Sequence, residues 1–210
     1  MKLIFYINIL LLFSCNTQEY KQEITAPFRS IKEQVRAIKE YHQAALRTEG
    51  KEHVKNEKLF FDAFPNSFKN MQDVFGFDNI KGKAPLYDYK TGGTIIIFFS
   101  KLTSIDKDDY YNKYINICIN GVWKGDNIAN GFGFYNKLYD SPLEVLTVLR
   151  QRNNTEIRSV FRFLFDGPRP ENMRKSYENL YSKLKSIDIK IADLLKQEYN
   201  KLLVESEYWY

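Results

Sequence analysis

The chain has 210 residues, 31 Lys and Arg against 26 Asp and Glu, and a formal charge of +5. Hydrophobic residues make up 44% and aromatic residues 16%, ample for a packed core and unlike a disordered chain. Lysines alternate with acids along the helical stretches, which reads as solvated faces and argues against a nucleic-acid footprint.

The first fifteen residues stand apart. Met1-Lys2 precede a nearly uncharged run from Leu3 to Phe13, followed by Ser14-Cys15. A run of about a dozen apolar residues suits a signal h-region and falls short of the ~20 that span a bilayer. The pattern resembles a bacterial lipoprotein signal, with Leu12-Phe13-Ser14-Cys15 as the lipobox, although Phe13 is bulkier than usual there. The resemblance implies cleavage before Cys15, acylation of that cysteine and an address in the cell envelope. A buried N-terminal helix of a cytosolic protein is the competing reading. The expected organisation is a signal peptide over 1–14, a tether over 15–26 and a single helical domain over 27–210. An acylated Cys15 leaves Cys118 without a disulfide partner, so stability must rest on the core.

Along the domain, Phe28, Ile31, Val35, Ile38, Tyr41 and Ala45 recur at three- and four-residue steps, predicting an amphipathic helix from Pro27-Phe28 to about Lys58. Gly50 marks a weak point in it. Asn66 or Ser67 caps a short helix carrying Phe68, Met71 and Phe75, closed by Gly76. Residues 78–93 read as a loop. Thr94 to Leu102 and Asp106 to Gly121 suit either strand or helix. Helix is favoured, in the second case by the acidic first turn at Asp106, Asp108 and Asp109. Residues 121–133 are glycine-rich and read as a loop.

Ser141-Pro142-Leu143-Glu144 has the form of a capping box, with Leu143, Leu146 and Leu149 facing inward. Asn154 is expected to cap the next helix, whose inner face is Ile157, Val160, Phe161, Leu164 and Phe165. Asp166-Gly167-Pro168 stops it, with a left-handed glycine and with Asp166 bonding the following backbone. Met173, Tyr177, Leu180, Leu184, Ile187, Ile191 and Leu194 continue in helical register. No glycine or proline interrupts Glu171 to Val204, which predicts one helix of roughly 50 Å. The expected fold is all-α, an irregular multi-helix domain with a long C-terminal helix. The alternative is α+β with a small sheet from 94–102 and 114–120.

Three stretches resemble a group of helical envelope proteins from Bacteroidetes. They are Phe64-Pro65-Asn66-Ser67-Phe68 with Phe75-Gly76-Phe77-Asp78, then Ala84-Pro85-Leu86-Tyr87-Asp88, then Phe163-Leu164-Phe165-Asp166-Gly167-Pro168 with Pro170-Glu171-Asn172. The resemblance implies an all-helical fold and, at most, a role as immunity factors against toxins of rival bacteria. Here Arg169 stands where the pattern carries histidine, which argues against a catalytic or metal role at that point.

Candidate chemistry is sparse. His42 and His53 are about 16 Å apart by helix rise, too far to share a metal. Asp106, Asp108 and Asp109 lack the glycine and distal glutamate of a calcium loop. Cys118 sits in apolar surroundings and reads as core. Gly125-Asp126-Asn127 and Gly131-Phe132-Gly133 match no phosphate-binding spacing. Asp166, Asp126 and Glu144 are the carboxylates a hydrolase would most plausibly use. Tyr208, Trp209 and Tyr210 form an aromatic tail suited to docking on the domain, on a partner or at a membrane interface.

The expected function is therefore a lipid-anchored, non-enzymatic envelope binding protein without cofactor or metal, its partners a membrane and a protein toxin. A structural or accessory lipoprotein and a hydrolase are the alternatives.

Overall fold

The computed structural model describes residues 28–123 and 130–206, apart from the side chains of Tyr89, Asn130, Gly131 and Ser206. Cys15, its tether, Pro27, Asp126 and the tail Tyr208-Trp209-Tyr210 lie outside the described residues. The fold is all-α: 73% helical, with ten α-helices and one two-stranded hairpin among the described residues.

The first expected helix is two. α1 (Ile31–Arg47) is capped by Ser30, whose hydroxyl accepts from the Glu33 amide at 3.2 Å, so it begins after Phe28. Thr48 and Glu49 are extended. Gly50, at φ +55°, opens α2 (Gly50–Ala63), which turns back along α1. This is the break that Gly50 marks, placed where a side chain would be strained.

Ser67 caps α3 (Phe68–Phe75) and Gly76 ends it, as its sequence implies. The expected loop after it contains a small antiparallel hairpin, β1 (Phe77–Asp78) with β2 (Gly82–Lys83), in the register Phe77 to Lys83 and Asp78 to Gly82. Asp78 Oδ1 accepts from the amides of Ile80 and Lys81 at 2.8 and 2.9 Å, an Asx-type turn that only local side-chain chemistry encodes.

A single wide turn over Tyr89–Gly93 leads into α4 (Thr94–Phe99). α5 (Lys107–Cys118) starts at Asp106, whose carboxylate accepts from the Asp108 and Asp109 amides. Helix thus prevails in both ambiguous segments, and the alternative sheet from 94–102 and 114–120 does not form. Each segment buries residues at helical spacing, Ile95, Ile96 and Phe99 in one and Tyr111, Tyr114, Ile115 and Cys118 in the other.

α6 (Phe134–Asp140) and α7 (Pro142–Leu149) follow with only Ser141 between them. The expected capping box is absent. The Ser141 side chain is turned to the Tyr111 hydroxyl and makes no cap bond, and Glu144 points to α5. α8 (Asn154–Phe165) is capped by Asn153, one residue before the expected Asn154. There Asn153 and Glu156 form the reciprocal box, at 3.0 and 3.3 Å.

The expected continuous C-terminal helix is interrupted. α9 (Arg174–Lys185) and α10 (Ile189–Ser206) pack on one another around a turn at 186–188. The Leu184 carbonyl accepts from Ile187 and Asp188, and Asp188 Oδ1 caps α10 through the Lys190 and Ile191 amides. A good N-cap thus stops one helix and starts another without glycine or proline. α10, with 18 residues, spans about 27 Å.

One hydrophobic cluster runs through all the helices, with α8 at its centre and α10 laid against it. Aromatic rings fill it. Phe64 stacks on Phe99 with centroids 4.0 Å apart, and Tyr177 stacks on Tyr199 at the same distance. Buried hydroxyls are satisfied by carbonyls, Tyr114 to Phe132 at 2.6 Å and Tyr199 to Pro170 at 3.0 Å.

Candidate interaction surface

The stretches that carry the family resemblance are structural nodes. Phe64 and Phe75 are fully buried, Phe68 meets Phe163 edge-on at 5.3 Å, and Ser67 is a cap. The Ala84 and Leu86 amides donate to the Gly76 and Val74 carbonyls, and Asp88 caps the turn that follows. Phe163, Leu164 and Phe165 are fully buried.

Asp166 ends α8, but its carboxylate accepts from the Trp123 amide at 2.6 Å and so ties down the distant loop after α5. It does not bond the residues after it as expected, and Gly167 is not in the left-handed region that the expected helix stop assigns to it. Pro168 lies in the turn between α8 and the short helix Pro170–Met173.

The histidines also have structural partners. His42, on α1, lies between Phe60 and Phe98, and burial pulls its pKa down. His53, on α2, faces the Ala45 carbonyl at 2.9 Å and Glu57 at 3.3 Å. Glu57 in turn accepts from the Ser104 amide. The cluster pins the end of α1 and the loop before α5 to α2. Cys118 is fully buried, and burial pushes its thiol far up, away from thiolate chemistry. Among the described residues no three His, Cys, Asp or Glu side chains converge as a metal site. No described helix is long and apolar enough to cross a membrane.

The arrangement with binding chemistry lies elsewhere, where α7 meets the turn between α9 and α10. Leu143 is 66% exposed, not buried as its spacing suggests; Val145, Leu146, Val148 and Leu149 fill the core side of α7 instead. Leu143 and Ile187 line one groove of about 370 Å³ with Asp140, Ser141, Pro142 and Glu144. Ile189, 48% exposed, follows two residues after Ile187. Leu143, Thr147 and Arg150 are spaced four and three residues apart, so all lie on one exposed face of α7.

Ion pairs frame this apolar strip. On one side Lys107 bonds Glu144, which also accepts from the Tyr111 hydroxyl at 3.1 Å. The Lys107 hydrogen bond holds the Glu144 carboxyl below its ordinary range, and the same bond raises the Lys107 ammonium. On the other side Arg150 Nε donates to Asp188 at 2.8 Å. Burial raises the Asp188 carboxyl, but the Ile191 amide and Arg150 outweigh it and hold it below its usual value. Lys183 sits 4.3 Å over the Tyr139 ring. The result is an exposed apolar centre with a charged, pre-bonded rim. Glu144, one of the hydrolase candidates, belongs to this rim. Asp166 is held by the Trp123 amide.

Sequence reasoning misses this face because Leu143 fits the inward spacing of Leu146 and Leu149 equally well. The two valines that displace it, Val145 and Val148, are the available signal. Compared with protein-family models, curated proteins and solved structures, the chain matches none.

Proposed function

We propose that this chain is a lipid-anchored, non-enzymatic binding protein of the cell envelope, most concretely an immunity protein that occludes an interbacterial toxin. The observation that carries the reading is the Leu143–Ile187 groove inside its frame of ion pairs. Leu143, exposed on a helix, and the half-buried Ile187 of the adjoining tight turn gain from a partner that desolvates them. Two of the carboxylates beside it, Glu144 and Asp188, are engaged in that frame.

The lipobox-like start, with Cys15 as the acylated residue, and the resemblance at Phe64–Phe68, Ala84–Asp88 and Phe163–Pro168 support the envelope and immunity parts.

The test is co-purification of the tagged full chain with the product of a neighbouring toxin-like gene, before and after Leu143→Asp. Capture that is lost with the substitution supports the proposal. It fails if the chain captures no such product and deleting its gene leaves sensitivity to sibling and rival cells unchanged.

A further inference from the structure

We propose that the solvent face of α1 docks on the anionic headgroup layer of the bilayer that holds the acyl anchor; the proposal rests on the reading of Cys15 as the tether point. Lys32, Arg36, Lys39, Gln43 and Arg47 follow one another at four-, three-, four- and four-residue steps, so they form a single stripe along the helix. Lys32, Arg36, Lys39 and Arg47 are all exposed, and Leu46, 64% exposed, stands at the edge of the stripe. Two acids of this helix border the stripe: Glu33 lines the same groove as Lys32, Arg36 and Lys39 and accepts from the Arg29 amide at 2.9 Å, and Glu40 follows Arg36 by four residues.

None of the four has an ion-pair partner among the described residues. Arg150, at the end of α7, and Arg158 and Arg162 of α8 are each matched to a carboxylate of the C-terminal segment. The four cations of α1 thus present their charge to solvent along one line.

The position of that line selects the partner. α1 is the first element after the tether. The fifteen steps of chain from Cys15 to Ser30 span at most about 50 Å when extended, so α1 stays within that reach of the anchor. A basic segment close to an acyl anchor adds a second attachment signal, acting within a Debye length of anionic headgroups. Held this way, the anchor sets the distance and α1 sets the orientation of the domain on the surface.

The experiment places a fluorophore at Gln43→Cys in the acylated chain, reconstituted in vesicles of phosphatidylcholine alone or with phosphatidylglycerol. Energy transfer to a headgroup-bound acceptor is expected to rise when phosphatidylglycerol is present. It should fall back in high salt and in the Lys32→Glu, Arg36→Glu, Lys39→Glu variant. The matching triple glutamine variant, which adds no negative charge, should show an intermediate loss, and unchanged melting of both variants shows that they fold.

Equal transfer in both lipids, or transfer indifferent to the substitutions, overturns the proposal. So does a triple variant that loses a protein partner while its lipid response is intact, which assigns the face to an acidic protein. Mass spectrometry of Cys15 reads the anchor separately. If no acyl group is found, sedimentation of the same chain with the two vesicle types reads the α1 contact directly. An at least tenfold preference for phosphatidylglycerol that the triple variant abolishes then supports the contact, and no preference rejects it.

Discussion

Gln34 and Asn70 exchange their side-chain amides across the junction of α1 and α3. Gln34 Nε2 donates to Asn70 Oδ1 at 3.0 Å, and Asn70 Nδ2 donates to Gln34 Oε1 at 3.1 Å. Both residues are fully buried, and Gln34 Nε2 also donates to the Ala63 carbonyl at the end of α2. One polar pair thus fixes the relative register of three helices. Removing one partner strands the other in the core, so Gln34→Ala or Asn70→Ala is expected to lower stability by about 2–3 kcal/mol. Chemical denaturation of the two single variants and the double variant checks this. The double loss should be smaller than the sum, because the second substitution removes the stranded group.

A steric prediction concerns Gly121. A Cβ at this position would lie 2.4 Å from the ring of Phe163, which is itself wedged between Phe68 and Phe132. Gly121→Ala should therefore cost about 1–3 kcal/mol by overpacking. Adding Phe163→Leu should make the alanine less costly than it is beside phenylalanine, as read from the two melting temperatures.

Lys113 supplies a pH dependence. Its Nζ donates to the carbonyls of Phe61 and Phe64 at the end of α2 and lies 4.3 Å over the Phe61 ring. Burial lowers its pKa to about 8 from 10.5. Between these values the unfolded chain holds the proton more tightly, so stability contributed at this site rises with pH across that window and is least below pH 8. The wild type should gain on the order of 1–2 kcal/mol relative to Lys113→Met between pH 7.5 and 9.5. Urea denaturation of both proteins at the two pH values tests this, and a constant difference would refute it.

At the acid end the sign reverses. Glu198 is nearly buried and accepts from Arg158 and Lys201, both at 2.9 Å. Burial raises its carboxyl, but those two cations outweigh burial and hold it below its ordinary 4.5. Its stabilising contribution is complete above that value and is lost as pH falls through the lower folded-state pKa. Arg158→Met should cost about 2 kcal/mol at neutral pH and shift the acid-unfolding midpoint upward.

The sequence pattern and the fold agree where burial and capping reinforce one another. Asp106 caps α5 with acids in its first turn, and Ser67 caps α3 between two phenylalanines. They diverge where one signal has two readings. The apolar register passes unbroken through Leu184, Ile187 and Ile191, yet Asp188 caps a new helix there. Ser141 and Glu144 have capping-box spacing, but Tyr111 and Lys107 claim them from another helix, a contact no local window contains. The candidate face was hidden for the same reason, since the exposure of Leu143 depends on which side of α7 the rest of the chain covers.

Leu143 and Leu146 are therefore the decisive comparison within α7. Leu146→Ala should cost about 2–5 kcal/mol, because Leu146 is fully buried. Leu143→Ala should change stability by less than about 0.5 kcal/mol.

The binding face is tested most directly by measuring affinity for the captured toxin-like product with wild type and with Leu143→Asp at matched folding stability. A loss of at least about tenfold, with an unchanged melting temperature, is the predicted result, since desolvating a carboxylate at the centre of an interface costs more than 1.4 kcal/mol. Undiminished binding by the Leu143→Asp protein would contradict the assignment of this face.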